Sequence, residues 1–379
     1  MMILHWISLL LCFACSSDKN SDDVEPLMLT SIQISGTPVR LDLNEEVVLS
    51  VLGFDQNGDE IAIDSEISWG VSNSNASVDA SGRVKGLAVG EVVLTATVES
   101  LSKTASLRIW DSSAPRVEVY VTDAANFNNG GSYKVIRYDD EGKYAETLID
   151  KNLAWPQDIV FLEDEEAMLV SNLSSNKIEK FDISSGEHIE TFATVANGPT
   201  RMKIGADGLL YVLQWNNSAP VVRYRTDGTF VDEFTSVGIN QAIGMDWDSE
   251  GNFYVSSYQG FVQKFGNEGG DLGRVITSGL QGPTNIWITS ADAMFVLEWT
   301  GGTVKSYELD GTLKSTTASG LVQAEGIDQL PDGRFLIGNG GTGVLKVLSG
   351  DGAFEKDYFA ARFGGLQTPN GVVIRLVNQ

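Results

Sequence analysis

The sequence predicts an all-β protein, in which a β-sandwich precedes a six-bladed β-propeller that its C-terminal strand closes. Three observations lead to this prediction. Short apolar strands alternate with Gly, Asn and Asp turns along most of the chain, and no long helical period follows the first residues. A Pro-x-x-apolar step recurs roughly every 40 residues in the second part. The last of these steps carries a single strand, whereas the earlier ones are followed by several.

The composition limits what the protein can bind. The chain has 379 residues, with 51 acidic and 26 basic side chains and a formal net charge of −25. This length exceeds that of an ordinary domain and predicts at least two units. Nucleic acids and anionic membrane surfaces are bound through Lys and Arg patches, so a nucleic-acid partner is not expected.

The N-terminal stretch MMILHWISLLLCFAC, residues 1–15, is an apolar run too short to remain as a membrane span, and we interpret it as an export signal. Cys15 follows Ala14 and is followed at once by polar residues. This pattern resembles a bacterial lipoprotein signal, in which Cys15 would carry the lipid; an ordinary secretory signal is the alternative. We expect an exported protein, lipid-anchored in the bacterial cell envelope at the outer membrane or cell surface, with residues 16–26 as a flexible tether. Because both cysteines lie in the signal, no internal disulfide is expected.

Residues 27–110 alternate apolar and polar positions in the manner of an antiparallel sandwich, with turn signals between the strands. The run from residue 67 to residue 98 resembles the group 2 bacterial Ig-like domain. The residues that carry this resemblance are Trp69, Val78, Asp79, Gly82, Val84, Gly86 and Gly90. The resemblance implies a stalk or adhesive module in which Trp69 points inward. Residues 111–115 are interpreted as a linker.

Residues 116–379 contain the repeats. The recurring step begins at Pro156, Pro199, Ala242, Pro283, Ala324 and Pro369. Four strands in a period of this length predict a propeller blade. The segment RVEVYVTD (116–123) matches the second strand of the other repeats, so the strand in PNGVVIRLV (369–377) is expected to complete the first blade and remove a sheet edge. Over residues 116–377 the pattern resembles the six-bladed NHL-repeat and gluconolactonase-like propellers.

In such a blade, the start of the first strand and the end of the second lie at the same mouth of the channel. Aromatic and polar residues at these positions predict a ligand site. They are Trp155, Asp158, Arg201, Gln214, Trp215, Tyr258, Asn285, Glu298 and Trp299. Rings beside amides favour a small-molecule, glycan or peptide-like ligand over a small anion. The alternative is that Trp215 and Trp299 are wedges that pack between blades.

The only histidines are His5, in the signal, and His188, so a Ser-His-Asp triad or a His-ligated zinc site is not expected. Carboxylates and amides suit Ca²⁺. The gluconolactonase-like resemblance implies one divalent ion at the mouth, and the matching positions are Glu325 and Asn370, with Asn285 and Asp158 one residue later in their blades. The leading interpretation is a monomeric binding propeller on an Ig-like stalk. The alternative is a calcium-dependent lactonase- or esterase-like hydrolase in which Asp158 is the base.

The anchoring hypothesis gives the first testable prediction. Cys15→Ser should release the protein from the membrane fraction or block its processing, because the lipid would be its attachment. Cell fractionation followed by immunoblotting measures this, and Cys12→Ser is the matched control that should leave the distribution unchanged. If Cys15→Ser fractionates as the wild type does, the segment is a plain secretory signal or the attachment runs through another protein.

Overall fold

The computed structural model describes residues 26–38, 40–127 and 131–378, and these residues form two compact units that divide between residues 112 and 113. The division falls within the stretch that the sequence suggests as a linker. The export signal, Cys15 and nearly all of the tether lie outside the described residues. In the described part of the chain, no helix has the length and apolar character that a bilayer span requires.

The first unit contains ten strands in its described residues. They are β1 (Ser31–Ser35), β2 (Arg40–Asp42), β3 (Glu46–Val48), β4 (Ser50–Phe54), β5 (Glu60–Ile61), β6 (Ile67–Val71), β7 (Ala76–Val78), β8 (Arg83–Gly86), β9 (Gly90–Val98) and β10 (Leu101–Trp110). They form sheets in the orders β1-β4-β5, β2-β10-β9-β6 and β3-β8-β7. Strand β2 runs parallel to β10, whereas β9 pairs with β10 and with β6 in antiparallel fashion.

The core of this unit lies between the four-stranded sheet and the sheet of β3, β7 and β8, where Val84 of β8 meets Leu94 and Ile109. Trp69 packs against this core, as its alternation predicts. The ring leaves no room for a side chain at Gly82, because a Cβ there would lie 2.6 Å from the Leu49 carbonyl oxygen and 3.2 Å from the Trp69 ring. The positive φ of Gly82 favours glycine as well. A tight glycine turn beneath a large ring therefore holds the sandwich.

The second unit consists, in its described residues, of six four-stranded antiparallel sheets, which confirms the predicted propeller. Blade 1 has β34 (Pro369–Val377), β11 (Arg116–Asp123), β12 (Lys134–Asp139) and β13 (Ala145–Ile149). Blade 2 has β14 (Pro156–Leu162), β15 (Ala167–Asn172), β16 (Lys177–Asp182) and β17 (His188–Thr194). Blade 3 has β18 (Pro199–Ile204), β19 (Leu210–Gln214), β20 (Val222–Tyr224) and β21 (Phe230–Glu233).

The other three blades repeat this arrangement. Blade 4 has β22 (Ala242–Trp247), β23 (Phe253–Ser257), β24 (Phe261–Phe265) and β25 (Asp271–Ile276). Blade 5 has β26 (Pro283–Ile288), β27 (Met294–Glu298), β28 (Thr303–Tyr307) and β29 (Leu313–Ser319). Blade 6 has β30 (Ala324–Gln329), β31 (Phe335–Asn339), β32 (Val344–Leu348) and β33 (Phe354–Asp357). The first strand of each blade as written here is called its inner strand.

The ring closes as the sequence predicts. Strand β34 pairs antiparallel with β11, from Arg116 opposite Val377 to Asp123 opposite Pro369. The carboxylate of Asp123 accepts backbone hydrogen bonds from Gln367 (2.9 Å) and Thr368 (2.8 Å), which fixes the segment that leads into β34. Blade 1 is therefore built from both ends of the propeller sequence, and β34 covers the inner edge of β11.

Apolar cores fill the spaces between neighbouring blades. Between blades 1 and 2, for example, Tyr120 and Val135 pack against Met168 and Phe181. Two tryptophans take part in such packing. The ring of Trp247 in blade 4 lies 5.1 Å from that of Tyr211 in blade 3, and the ring of Trp287 in blade 5 lies 5.2 Å from that of Phe335 in blade 6. Each blade is thus buried on both faces, which a single four-stranded sheet cannot achieve alone.

Ring closure gives the second prediction. Deletion of residues 369–377 should cause aggregation or loss of the cooperative unfolding transition, because it removes the inner strand of blade 1 and exposes the edge of β11. Removal of residues 378–379 alone is the control and should leave the transition in place. Circular dichroism during urea unfolding measures both variants. A soluble 369–377 deletion with an unchanged transition would contradict closure by β34.

Candidate functional site

One backbone hydrogen bond recurs at the same mouth of every blade. The residue that follows the second strand donates its N–H to the carbonyl of the residue that precedes an inner strand, as from Trp215 to Gly198 (2.9 Å) and from Trp299 to Gly282 (2.8 Å). The residues that occupy this donor position are Ala124, Leu173, Trp215, Tyr258, Trp299 and Gly340. Three consecutive blades therefore present an aromatic side chain from one repeated backbone position.

These side chains surround a cavity of about 290 Å³, which we call the aromatic pocket. Five rings line it, one from each of blades 1 to 5: Phe127, Trp155, Trp215, Tyr258 and Trp299. Leu173 and Ile243 complete its apolar lining, and its polar residues are Gln157, Thr284 and Glu325. These three polar residues are buried and stand at the second position of their inner strands. The pocket thus has walls of rings and a floor that carries the polar groups.

The rings contact one another around the pocket. The Trp215 and Tyr258 centroids are 5.7 Å apart. Phe127 connects two further rings, with its centroid 4.9 Å from that of Trp299 and 5.8 Å from that of Trp155. Such tilted and edge-on contacts are favourable geometries for aromatic pairs. The rings therefore support one another, and each of them is still only half-buried.

Two of the five rings stand on unfavourable backbone. Trp155 has φ +58°, and Phe127 (φ +57°) ends a short turn whose other residues, Ala125 and Asn126, also have positive φ. For residues other than glycine this conformation costs about 1–2 kcal/mol each. The turn is held by hydrogen bonds from the Ala125 N–H to Asp123 (2.9 Å) and from the Asn126 N–H to the Thr368 hydroxyl (3.0 Å).

The pocket rings do not belong to the cores between blades. All five are half-buried, and none is a member of the apolar clusters that fill the spaces between blades. Trp247 and Trp287 take that packing role instead. Of the two roles that the sequence leaves open for Trp215 and Trp299, their surroundings favour the ligand surface over the wedge.

An arginine crosses the channel beneath the floor. From blade 3, the Arg201 guanidinium donates to the carbonyl oxygens of Gln157 and Asn370 (3.3 Å for Asn370) and, at 3.1 Å, to Oε1 of Glu325 in blade 6. Both charged side chains are buried, at 5% and 6% exposure. Such a pair is strongly coupled, since removal of one partner leaves an uncompensated charge in a poorly solvated place.

A second cavity, of about 530 Å³, lies farther along the inner strands, and we call it the channel cavity. Its charged and amide lining residues are Asp158, Arg201, Lys203, Asp246, Asn285, Asp328 and Gln329. Three of the carboxylates accept a backbone N–H from the next blade: Asp158 from Met202 (2.9 Å), Asp246 from Ile288 (2.8 Å) and Asp328 from Ile374 (2.7 Å). Much of the polarity of this cavity therefore serves to join blades.

Burial has the largest effect on the pKa values of Glu325, Asp328 and Asp158. It raises the pKa of Glu325 to about 7; the Arg201 guanidinium opposes this rise and the Asp158 carboxylate adds to it. Burial likewise raises the pKa of Asp328 to about 6, and it raises the pKa of Asp158. A carboxyl whose pKa is higher in the folded than in the unfolded state favours folding while it is protonated. Glu325 therefore lowers the free energy of unfolding as the pH rises from its ordinary pKa through about 7.

The structure divides the residues suggested by the sequence into three groups. Trp155, Trp215, Tyr258 and Trp299 line the aromatic pocket. Asp158, Arg201 and Asn285 line the channel cavity, one position farther along their inner strands. Gln214 and Glu298 line neither cavity.

Gln214 and Glu298 make their contacts within their own blades. The Gln214 amide donates to the Pro220 carbonyl oxygen (2.7 Å), and Glu298 accepts from the Gln281 N–H (2.5 Å) and pairs with Lys305 (2.9 Å). These residues end their strands, so they face away from the neighbours that follow them, Trp215 and Trp299. Their contacts hold the loops of blades 3 and 5.

Phe127 and Leu173 line the pocket without having been expected there, and Gln157, Ile243 and Thr284 were expected at the mouth but not among the ligand-binding residues. The sequence could have predicted Leu173 as a pocket residue, because alignment of the repeats gives it the position of Trp215, Tyr258 and Trp299. It could not have predicted Phe127, because the place of that residue depends on three successive residues with positive φ, which no turn motif indicates.

The residues suggested for calcium do not fit that ion. In the described residues, no group of three or more His, Cys, Asp or Glu side chains could hold a metal. Asn370 does have a buried Oδ1 without a protein partner, an oxygen that a cation could use. The guanidinium of Arg201, however, lies against Glu325 and the Asn370 carbonyl, so its positive charge stands where the cation would be. Asn285 and Asp158 also accept backbone N–H groups.

Comparisons with known proteins support the fold. No protein-family model matches the chain, and no curated protein matches it. A chain in the crystal structure of a nidogen–laminin complex is 12% identical, with a TM-score of 0.56, and the match covers 69% of this chain and 99% of that one. A protein of unknown function from Bacteroides caccae is 14% identical, with a TM-score of 0.53, and the match covers 68% and 98%. At these identities the likeness shows the propeller fold alone.

The buried ion pair gives the third prediction. Arg201→Met should lower the free energy of unfolding by roughly 3–5 kcal/mol at about pH 8, because it leaves the Glu325 carboxylate buried without its cation. The loss should be smaller at about pH 5, where Glu325 is protonated in the folded state. Urea unfolding at both pH values measures this.

Arg334→Met is the matched control, since Arg334 pairs with Asp332 on the surface and should cost at most about 1 kcal/mol. The double variant Arg201→Met/Glu325→Gln should regain part of the loss. An Arg201→Met penalty equal to that of the control, or one that does not change with pH, would contradict the described pair.

Proposed function

We propose that the propeller is a binding module that holds a small organic group, free or projecting from a larger ligand, in the aromatic pocket. The observation that carries this proposal is the convergence of five half-exposed rings, one from each of five blades, on a single cavity with a few polar groups at its floor. A concave, mostly apolar surface with few, well-placed polar groups is the usual form of a ligand site.

The backbone at Trp155 does not require an aromatic side chain. The residues before the inner strands of blades 2 to 6 all have positive φ, and they are Trp155, Gly198, Gln241, Gly282 and Gln323. Blade 2 has Trp155 in the same place and the same conformation, at an energetic cost that glycine would avoid. Because this ring contributes to no core between blades, its contact with the pocket accounts for its presence there.

The lining favours a peptide-like group over a saccharide. A bound sugar needs hydrogen-bond partners around its ring, whereas the side-chain amide, hydroxyl and carboxylate of this pocket, from Gln157, Thr284 and Glu325, are confined to the floor. Walls of aromatic rings suit a compact apolar or amphipathic side chain. We therefore place a peptide-like or similar small organic ligand first and a carbohydrate second.

The hydrolase alternative gains no support from this geometry. The suggested base, Asp158, lies in the channel cavity, and its two oxygens accept the N–H groups of Ile159 (3.0 Å) and Met202 (2.9 Å). Each oxygen keeps a second lone pair, but the contact with Met202 joins blades 2 and 3, as the contacts of Asp246 and Asp328 join their own blades. The setting that we propose remains that of the sequence analysis: an exported lipoprotein in which residues 27–110 form an Ig-like stalk.

The fourth prediction separates binding from packing. Trp215→Ala and Trp299→Ala should leave the free energy of unfolding within about 1 kcal/mol of wild type, because their rings lie outside the blade cores. Trp287→Ala is the matched control and should cost roughly 3–5 kcal/mol, as large core truncations do. Denaturant unfolding measures all three. A control-sized loss in both pocket variants would make the rings structural wedges.

Trp155→Gly is the most informative member of the series. It should preserve stability or raise it by about 1 kcal/mol, because glycine relieves the positive φ. All three pocket variants should lose roughly 1–3 kcal/mol of affinity for whichever member of a panel of short peptides and disaccharides quenches wild-type tryptophan fluorescence. If no panel member binds the wild type, or if the pocket variants bind it equally well, the proposed function is wrong.

A further inference from the structure

The floor of the aromatic pocket carries a carboxylate that the protein only partly satisfies. Oε1 of Glu325 accepts a hydrogen bond from Arg201 (3.1 Å), whereas no described residue donates one to Oε2. Glu325 is among the residues that line the pocket, so this carboxylate forms part of the ligand surface. A buried carboxylate with one unpaired oxygen favours a positively charged or hydrogen-bond-donating partner.

The rings favour the same kind of partner. The face of an aromatic ring is electron-rich, and several faces around one space form the arrangement that binds quaternary and methylated ammonium groups. Here the pocket is lined by the indole rings of three tryptophans, together with one phenol and one phenyl ring: Trp155, Trp215, Trp299, Tyr258 and Phe127. Indole gives the strongest interaction of this kind. The net charge of −25 further raises the concentration of cations near the surface.

We infer that the group held in the aromatic pocket is an organic cation, a methylated ammonium or a protonated amine, with Glu325 as its counter-ion. This inference rests on the proposed function and specifies its ligand class. The cation enters from the mouth between the rings, and its charge lies over the floor. With a volume of about 290 Å³, the pocket admits a compact ammonium group and a short chain attached to it.

Arg201 does not cancel the attraction. It approaches Glu325 from the channel side and binds Oε1, so the guanidinium lies beneath the floor. Asp158 is the other charged group that acts on Glu325. When both carboxyl groups are ionised, two carboxylates and one guanidinium, −1 −1 +1, leave one formal negative charge beneath the rings. The pair with Arg201 also restricts rotation of the Glu325 side chain and leaves Oε2 available to the ligand.

The titration of Glu325 predicts how binding depends on pH. With its pKa raised to about 7 by burial, Glu325 is partly protonated near neutrality, and a bound cation favours its ionised form. The affinity for a permanently charged ligand should therefore rise between about pH 6 and pH 8 and level off above that range. Glu325→Gln should remove most of this rise in affinity. The rest can come from Asp158, whose pKa also depends on the Arg201 guanidinium.

The fifth prediction uses two probes of nearly the same shape. Choline carries a trimethylammonium group, and 3,3-dimethyl-1-butanol carries an uncharged tert-butyl group in its place. Calorimetry with the wild-type chain at about pH 8 should show choline binding at least about tenfold tighter. Glu325→Gln should reduce this ratio several-fold, whereas Glu187→Gln, which removes a charge from an exposed turn of blade 2, should leave it unchanged.

A second variant tests the inference even if Glu325→Gln does not fold. Trp299→Leu keeps an apolar wall but removes an aromatic face, so it should weaken choline more than the alcohol. Equal affinity of the two probes for the wild type would overturn the cation inference and leave a neutral ligand for the proposed site. Binding of neither probe, with binding of an uncharged peptide or disaccharide, would also overturn it. An unchanged ratio in Glu325→Gln would contradict the role of Glu325 as counter-ion.

Discussion

The pairing of β34 with β11 is the constraint on which the propeller depends. It joins residues 369–377 to residues 116–123 and turns a row of sheets into a ring. Only in a ring do the starts of all inner strands meet around one axis, so that side chains from blades 1 to 5 can reach a single cavity. A mutation that weakens this strand pair would therefore also disturb the pocket, although none of the paired residues lines it.

Within the ring, the second position of the inner strands has two tasks that alternate around the axis. In blades 1, 3 and 5 this residue donates a hydrogen bond to the first residue of the next inner strand: Asn370 to Pro156 (3.0 Å), Thr200 to Ala242 (2.7 Å) and Thr284 to Ala324 (2.8 Å). In blades 2, 4 and 6 it is Gln157, Ile243 or Glu325, and these side chains line the pocket. Three of the positions thus hold blades together, and the other three shape the floor together with Thr284, which does both.

The features that could be predicted from the sequence are those that the repeats determine. The blade number, the closing strand and the arc of Trp215, Tyr258 and Trp299 follow from one period, because equivalent positions in a repeat point in the same direction. Sequence reasoning did not recover contacts across the axis. The reach of Arg201 from blade 3 to Glu325 in blade 6 depends on ring closure and channel width, which no local pattern contains. It also did not separate Gln214 and Glu298, which line neither cavity, from Trp215 and Trp299, because successive side chains of a strand point in opposite directions.

The repeated donor position has a consequence for how such a molecule can diversify. Four of the residues that line the pocket, Leu173, Trp215, Tyr258 and Trp299, come from this position in four different repeats, and its backbone bond is the same whether the side chain is Leu, Trp, Tyr, Ala or Gly. A point mutation can therefore exchange one of these side chains without removing the backbone bond that holds its blade. The side chains at this position can vary while the backbone of each blade stays the same, so single substitutions can give the pocket a new specificity.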